Sequence, residues 1–197
     1  CQAGFEPLGP DCIACNVGQY KFAIADYACA LCAAGTFSDR IGTEQCSKCA
    51  AGTYWGGIGG TSSDNCLLCS SNSHSPAGSV AAADCLCNKG FSGPDGGPCV
   101  ACTLGTYKNV NGSTLCTLCP ADTYAESFAS KGIDACLSCP NYTRSEAGSR
   151  DRMNCLCLPG YSGPKGGPCV ACLPGTYKQV NGSSACVPCA AGKYSPT

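Results

Sequence analysis

Hydrophobic positions along this chain keep neither a helical nor a long-strand period. Large aliphatics are sparse and scattered, and no amphipathic run of period 3.6 is present. What recurs instead is an aromatic residue five places after the second cysteine of a CxxC pair: Tyr20, Phe37, Tyr54, Tyr107, Tyr124, Tyr177 and Tyr194. It usually closes a triplet such as Gly105-Thr106-Tyr107. In a module this small the ring is expected to cover a disulfide. Before each CxC the slot holds His74 and Arg144, which are expected in loops. Short β-prone runs, Thr106 to Val110 and Ser113 to Leu115, flank Asn111-Gly112, and the pattern returns around Asn181-Gly182. Asn-Gly between such runs predicts two-residue hairpin tips. GPDGGP and GPKGGP predict turns. The expected architecture is small and disulfide-rich: an elongated rod of serial Cys-closed loops with short β-hairpins and little or no helix.

The register of the array is set by one stretch. CNKGFSGPDGGPCVAC, Cys87 to Cys102, returns 70 residues later as CLPGYSGPKGGPCVAC, Cys157 to Cys172, and a looser copy, CQAGFEPLGPDCIAC, spans Cys1 to Cys15. The chain therefore divides into a first repeat, 1–86, with one extra CxxC unit around Cys32 to Cys49. A second repeat spans 87–156, and a partial third spans 157–197. Both termini fall inside motifs, as expected of a piece of a longer secreted protein.

Composition sharpens this picture. The 197 residues include 23 Cys, 26 Gly and 13 Pro, more than a tenth of the chain being cysteine. That is the range of disulfide scaffolds, which cross-link modules too small to build a large core. Charged residues make up 13% and the net charge is −1. No basic face for nucleic acid or anionic lipid follows from this, and no run reaches the length of a membrane span.

Pairing each cysteine across the intervening loop gives Cys1–Cys12, Cys15–Cys29, Cys32–Cys46, Cys49–Cys66, Cys69–Cys85 and Cys87–Cys99. It continues with Cys102–Cys116, Cys119–Cys136, Cys139–Cys155, Cys157–Cys169 and Cys172–Cys186. Cys189 is left over, its partner expected past Thr197. Crossed pairings between neighbouring CxxC pairs also satisfy the count. Serial closure would leave each unit touching only its neighbours.

Sharper chemistry finds little support. CxxC-x13-CxxC, Cys99 to Cys119, lies near zinc-ribbon spacing, but the pairs run on without a break and the CxC steps fit no ribbon. A redox CxxC belongs at a helix start in a βαβ unit, and none is predicted. Asp95 in the glycine-rich turn is replaced by Lys165 in its copy, which argues against calcium. His74 is the one histidine, and the acids are scattered. No catalytic residue, metal site or cofactor is expected, and the chain reads as a non-enzyme. N-linked glycans are expected at the sequons Asn111-Gly112-Ser113, Asn141-Tyr142-Thr143 and Asn181-Gly182-Ser183. Trp55, the one tryptophan, sits among glycines and either packs within its own loop or contacts a neighbour.

CVACTLGTYKNVNGSTLCTLCPADTY and CVACLPGTYKQVNGSSACVPCAAGKYS resemble the ephrin-receptor-like cysteine-rich repeat, CxxCPxGTYxxxxGxxxCxxCPxGTYS. CLCNKGFSGPDGGPC and CLCLPGYSGPKGGPC resemble the C-terminal half of an EGF-like module. The loops are also similar to the first submodule of tumour-necrosis-factor-receptor repeats, which supports loop-wise pairing. The resemblance implies an extracellular rod and spans receptors, matrix proteins and protist surface proteins. Long arrays of this kind are similar to those of mastigonemes, the hair-like fibres of algal flagella, and to ciliate surface antigens. The chain departs from the receptor pattern in lacking charged, variable loops. The expected role is a structural segment of an extracellular glycoprotein filament or cell-surface coat. Its partners would be other copies of itself or neighbouring surface glycoproteins, at the cell surface and on this resemblance flagellar. A ligand-binding receptor ectodomain is the alternative.

Overall fold

The computed structural model describes residues 1–193; Tyr194 lies outside them. It is a small disulfide-rich array in which short antiparallel strand pairs alternate with Cys-closed loops. The chain forms two compact units. One comprises 1–88, 93–100 and 111–113, and the other 89–92, 101–110 and 114–197. Among the described residues helix is limited to single 3₁₀ turns at Ser63–Asn65, Ala82–Asp84, Ile133–Ala135 and Arg152–Asn154. The first hairpin, Phe5–Leu8 with Asp11–Ala14, is the longest. Most others pair two residues with two, as Thr36–Phe37 does with Ser47–Lys48 and Thr123–Tyr124 with Leu137–Ser138.

Disulfides join each cysteine to the one across its loop, with separations of 11 to 17 residues. Among the described residues Cys189 has no disulfide partner. Cysteines also supply most of the apolar core: Cys15, Cys32, Cys49, Cys87, Cys119 and Cys157 are fully buried. Closing one such loop is worth about 3 kcal/mol in the chain-entropy account.

Every unit is then built on the same backbone turn. In Ala33 to Thr36 the Thr36 N–H donates to the Ala33 carbonyl at 3.1 Å and Gly35 has φ +76°. A left-handed backbone favours glycine, and a Cβ on Gly35 would lie 2.2 Å from the Gly78 carbonyl oxygen. The Gly35 carbonyl accepts from Cys49 N–H at 2.8 Å, while its own N–H donates to the Trp55 carbonyl at 2.7 Å. The same two bonds recur at Gly4 (with Cys15 and Lys21), Gly18 (Cys32, Ser38), Gly105 (Cys119, Ala125) and Gly160 (Cys172, Lys178). The turn residue thus ties its own unit to the next through the main chain.

The residue that receives this tie is the sixth after each CxxC, one place beyond the aromatic slot. Lys21, Ser38, Ser75, Lys108, Ala125, Ser145 and Lys178 are buried there and Trp55 is half-buried, whereas the residues just before them are half-buried or exposed. A lysine fills the slot where the preceding disulfide loop is shortest, at separations of 11 or 12. Such a loop brings its carbonyls close enough to hold an ammonium. Lys178 Nζ donates to the carbonyls of Cys157 at 3.3 Å, Tyr161 at 2.7 Å and Gly182. Lys21 Nζ donates likewise to Phe5 at 2.7 Å, Cys1 at 3.4 Å and Ala25. An ammonium has three donors, so the cage satisfies all of them, as a buried charge requires. Burial pushes the Lys178 ammonium below its ordinary pKa, and the three carbonyl dipoles oppose that shift.

Three local expectations are corrected. Asn111-Gly112 and Asn181-Gly182 are not two-residue hairpin tips. The strands are Thr106–Tyr107 with Thr117–Leu118 and Thr176–Tyr177 with Val187–Pro188, so each Asn-Gly lies inside a longer loop. Gly112 and Gly182 turn inward to donate to the carbonyls of Cys87 and Cys157 at 2.8 and 2.9 Å. That long-range bond outweighs the local turn preference. His74 and Arg144 are strand residues, paired with Leu86 and Leu156, because the CxC segment that follows supplies a partner strand.

Three of the 3₁₀ turns, Ser63–Asn65, Ala82–Asp84 and Arg152–Asn154, carry their own lock. The Asp84 carboxylate accepts from the N–H groups of Val80 and Ala81 at 2.8 and 2.9 Å, and Asn154 does the same for Arg150 and Asp151. The Ala81 bond first, then the Val80 bond, holds the Asp84 carboxyl below its ordinary pKa.

Two outcomes are expected. Lys178→Met leaves three carbonyls without a donor at about 1–3 kcal/mol each when fully buried. Native-state hydrogen exchange should show the amides of Gly160 and Gly182 losing protection, with no such loss in Lys165→Met on the exposed glycine-rich turn. A folded-state pKa below the unfolded one makes the contribution of Asp84 complete above the ordinary carboxylate range and lost as pH falls through its lowered value. Asp84→Asn, the arrangement at Asn154, should therefore keep the Val80 and Ala81 amides protected in acid that exposes them in the parent. Equal acid lability in both chains would refute this.

Candidate functional site

Candidate sites here are surface positions set out by the repeat. All three sequon asparagines, Asn111, Asn141 and Asn181, are exposed. Asn141 occupies a turn corner, with Thr143 N–H donating to the Pro140 carbonyl at 3.2 Å across it. Asn181 precedes Gly182, whose carbonyl is a wall of the Lys178 cage.

The strand residues between successive cysteines face outward. Leu31, Leu68, Val100, Leu118, Leu137 and Val170 are exposed, Leu68 to 82% and Val170 to 68%. Disulfides and main-chain bonds fill the interior, so these aliphatics have no core to enter. Sequence reading missed them as a set, although the signal was present: an aliphatic between the two cysteines of most CxxC pairs.

A groove of about 610 Å³ lies in the first unit, lined by Tyr20, Phe22, Thr36, Glu44 and Lys48 among others. Part of its wall belongs to the extra segment, Cys32 to Cys49. It carries one acid and one base on exposed positions, and no nucleophile stands beside a base there. The lone histidine, His74, lies outside it on its own strand.

The remaining candidates resolve as structure. Cysteines Cys99 to Cys119 are consumed by disulfides to Cys87, Cys116, Cys102 and Cys136, which leaves no thiolate for the zinc-like spacing. In the glycine-rich turns the fixed groups are main-chain: Gly96 N–H bonds the Cys85 carbonyl and Gly166 N–H the Cys155 carbonyl, each at 2.8 Å. The side chain at 95 or 165 is thus free to be Asp or Lys. Trp55 packs within its own unit, its ring lying against Gly57 and Gly60, with its buried Nε1 unpartnered. No helix among the described residues is long and apolar enough to cross a membrane.

Comparison with known proteins agrees with this architecture. Residues 22–66 and 90–136 match the family model described as tyrosine-protein kinase ephrin type A/B receptor-like. Over 101 residues, 48% of the chain, the sequence is 34% identical to human signal peptide, CUB and EGF-like domain-containing protein 2. Over 92 residues, 46% of the chain, it is 30% identical to rat sushi, von Willebrand factor type A, EGF and pentraxin domain-containing protein 1. The aligned regions cover only 10% and 2% of those relatives. Serial disulfides of this density belong to extracellular or cell-surface proteins. The chain is an extracellular-type disulfide-rich array in which the segments 22–66 and 90–136 are similar to the ephrin-receptor-like cysteine-rich repeat.

Proposed function

We propose that this chain is a non-enzymatic structural segment of an extracellular glycoprotein filament, mastigoneme-like, or of a cell-surface coat. The observation that carries the reading is the outward aliphatic at successive inter-cysteine strands. A chain with 13% charged residues that also exposes leucines and valines at regular positions calls for a cover. Neighbouring copies or surface glycoproteins, together with N-linked glycans, would provide it. The relatives' names place similar repeats among CUB, EGF, sushi and pentraxin domains, which fits a carrier role in large extracellular proteins.

One observation favours a second reading, a receptor ectodomain. The groove beside Tyr20 and Lys48 borders the extra unit, which has no copy in the second repeat. A soluble ligand would be read there.

Electron microscopy of native protein released without reductant should show regular filaments or sheets that come apart when disulfides are reduced. Leu68→Lys with Val170→Lys should lower assembly while leaving the disulfide-bonded monomer folded, as followed by sedimentation. Thin monomers at high concentration, unchanged by these substitutions, would overturn the reading and move attention to the groove.

A further inference from the structure

Tyr142 stands where the turn in most units uses glycine. Its φ is +62°, its carbonyl accepts from Leu158 N–H at 2.9 Å, and Thr143 N–H closes the turn on Pro140. The other non-glycine residues at this turn position are Asn72 and Asp122, side chains that tolerate a left-handed backbone. A bulky residue held there is strained, and strain that persists points to a use. The Tyr142 ring stacks on Tyr161 with centroids 4.3 Å apart and planes within 9°. Tyr161 covers one face, yet Tyr142 remains 52% exposed, so its other face is open to solvent. The neighbouring residue is the exposed sequon asparagine, Asn141.

The repeat supplies an internal control. Seventy residues earlier the positions of Asn141, Tyr142 and Tyr161 hold Ser71, Asn72 and Phe91. The strained tyrosine and the sequon thus appear together at one 70-residue period and are both missing at the one before, while the backing position is aromatic in each, Phe91 or Tyr161. The unstrained Asn72 shows that the turn itself does not require an aromatic residue.

We propose that Asn141 carries an N-linked glycan whose first N-acetylglucosamine lies on the open face of Tyr142, with Tyr161 as backing. The apolar C–H face of a pyranose and its acetyl methyl match an aromatic face, and the phenol leaves a polar edge for sugar hydroxyls. In the transfer, the Asn141 amide nitrogen bonds to the anomeric carbon of a lipid-diphosphate-linked oligosaccharide. The lipid diphosphate leaves and the amide gives up one proton. The inference rests on the extracellular reading only for access to that donor, and it is independent of whether the protein forms filaments.

The test uses the full chain secreted from eukaryotic cells. Peptide mass spectrometry after N-glycosidase release in ¹⁸O water reads occupancy. Nuclear magnetic resonance of the ¹³C-labelled glycan reads the acetyl methyl shift. Asn141 should be occupied, with its acetyl methyl upfield of the one at Asn181 through the Tyr142 ring current. Tyr142→Gly keeps an Asn-Gly-Thr sequon and relieves the backbone. It should leave Asn141 occupied, return the methyl to the Asn181 value and speed native-state glycosidase release several-fold. An unoccupied Asn141, or equal methyl shifts at Asn141 and Asn181 in the parent chain, would overturn the proposal. Electron microscopy decides the assembly reading separately.

Discussion

The array depends on one left-handed turn residue per unit. At Gly18, Gly35 and Gly105 the carbonyl binds the cysteine that opens the following disulfide loop, and the N–H binds the slot residue of that loop. A disulfide alone would close each loop and leave its orientation to the following loop undefined. The paired main-chain bonds supply that orientation. Because they use groups present in every residue, they survive wide changes in sequence and impose identity on few positions. Gly35 and Gly105 are held to glycine twice over, by φ and by a carbonyl oxygen about 2.2 Å from where a Cβ would sit. At Asn72, Asp122 and Tyr142 a side chain is tolerated, and there the chain has room to vary chemistry.

The buried slot shows how one plan accommodates loops of different length. After loops of 14 residues or more, Ser38, Ser75, Ala125 and Ser145 fill it, small enough to sit among main-chain atoms, with half-buried Trp55 the exception after Cys32–Cys46. After the shortest loops a lysine reaches through and binds carbonyls on both sides. The EGF-like segments thus carry an internal cation where a metal could otherwise organise the same oxygens. Three hydrogen bonds to a buried ammonium exceed what a single neutral pair contributes, which suits a joint with little apolar surface to bury.

Cysteine spacing made the loop closures and the repeat register legible in the sequence, since each loop is local and short. The buried lysines were legible only in hindsight. Lys21, Lys108 and Lys178 recur after the three short loops and nowhere else in the slot, yet a lysine in a sequence reads first as a surface residue. The Asn-Gly segments misled for the converse reason. Local turn chemistry predicted a tight hairpin, and a bond from Gly182 to Cys157, 25 residues away in the chain, took precedence. Trp55 packs on Gly57 and Gly60, so the glycines around it in sequence form the surface its ring lies on.

The division of labour between backbone and side chains bears on function. In an ordinary domain aliphatic side chains are spent on the core, and a surface leucine is incidental. Here the main chain, disulfides and lysine cages provide cohesion, so Leu68, Leu118 and Val170 are not needed inside. Their exposure is then a property available to selection without cost to the fold, as are the sequon at Asn141 and the strained ring beside it. An architecture of this kind can keep its repeat constant while changing what it presents.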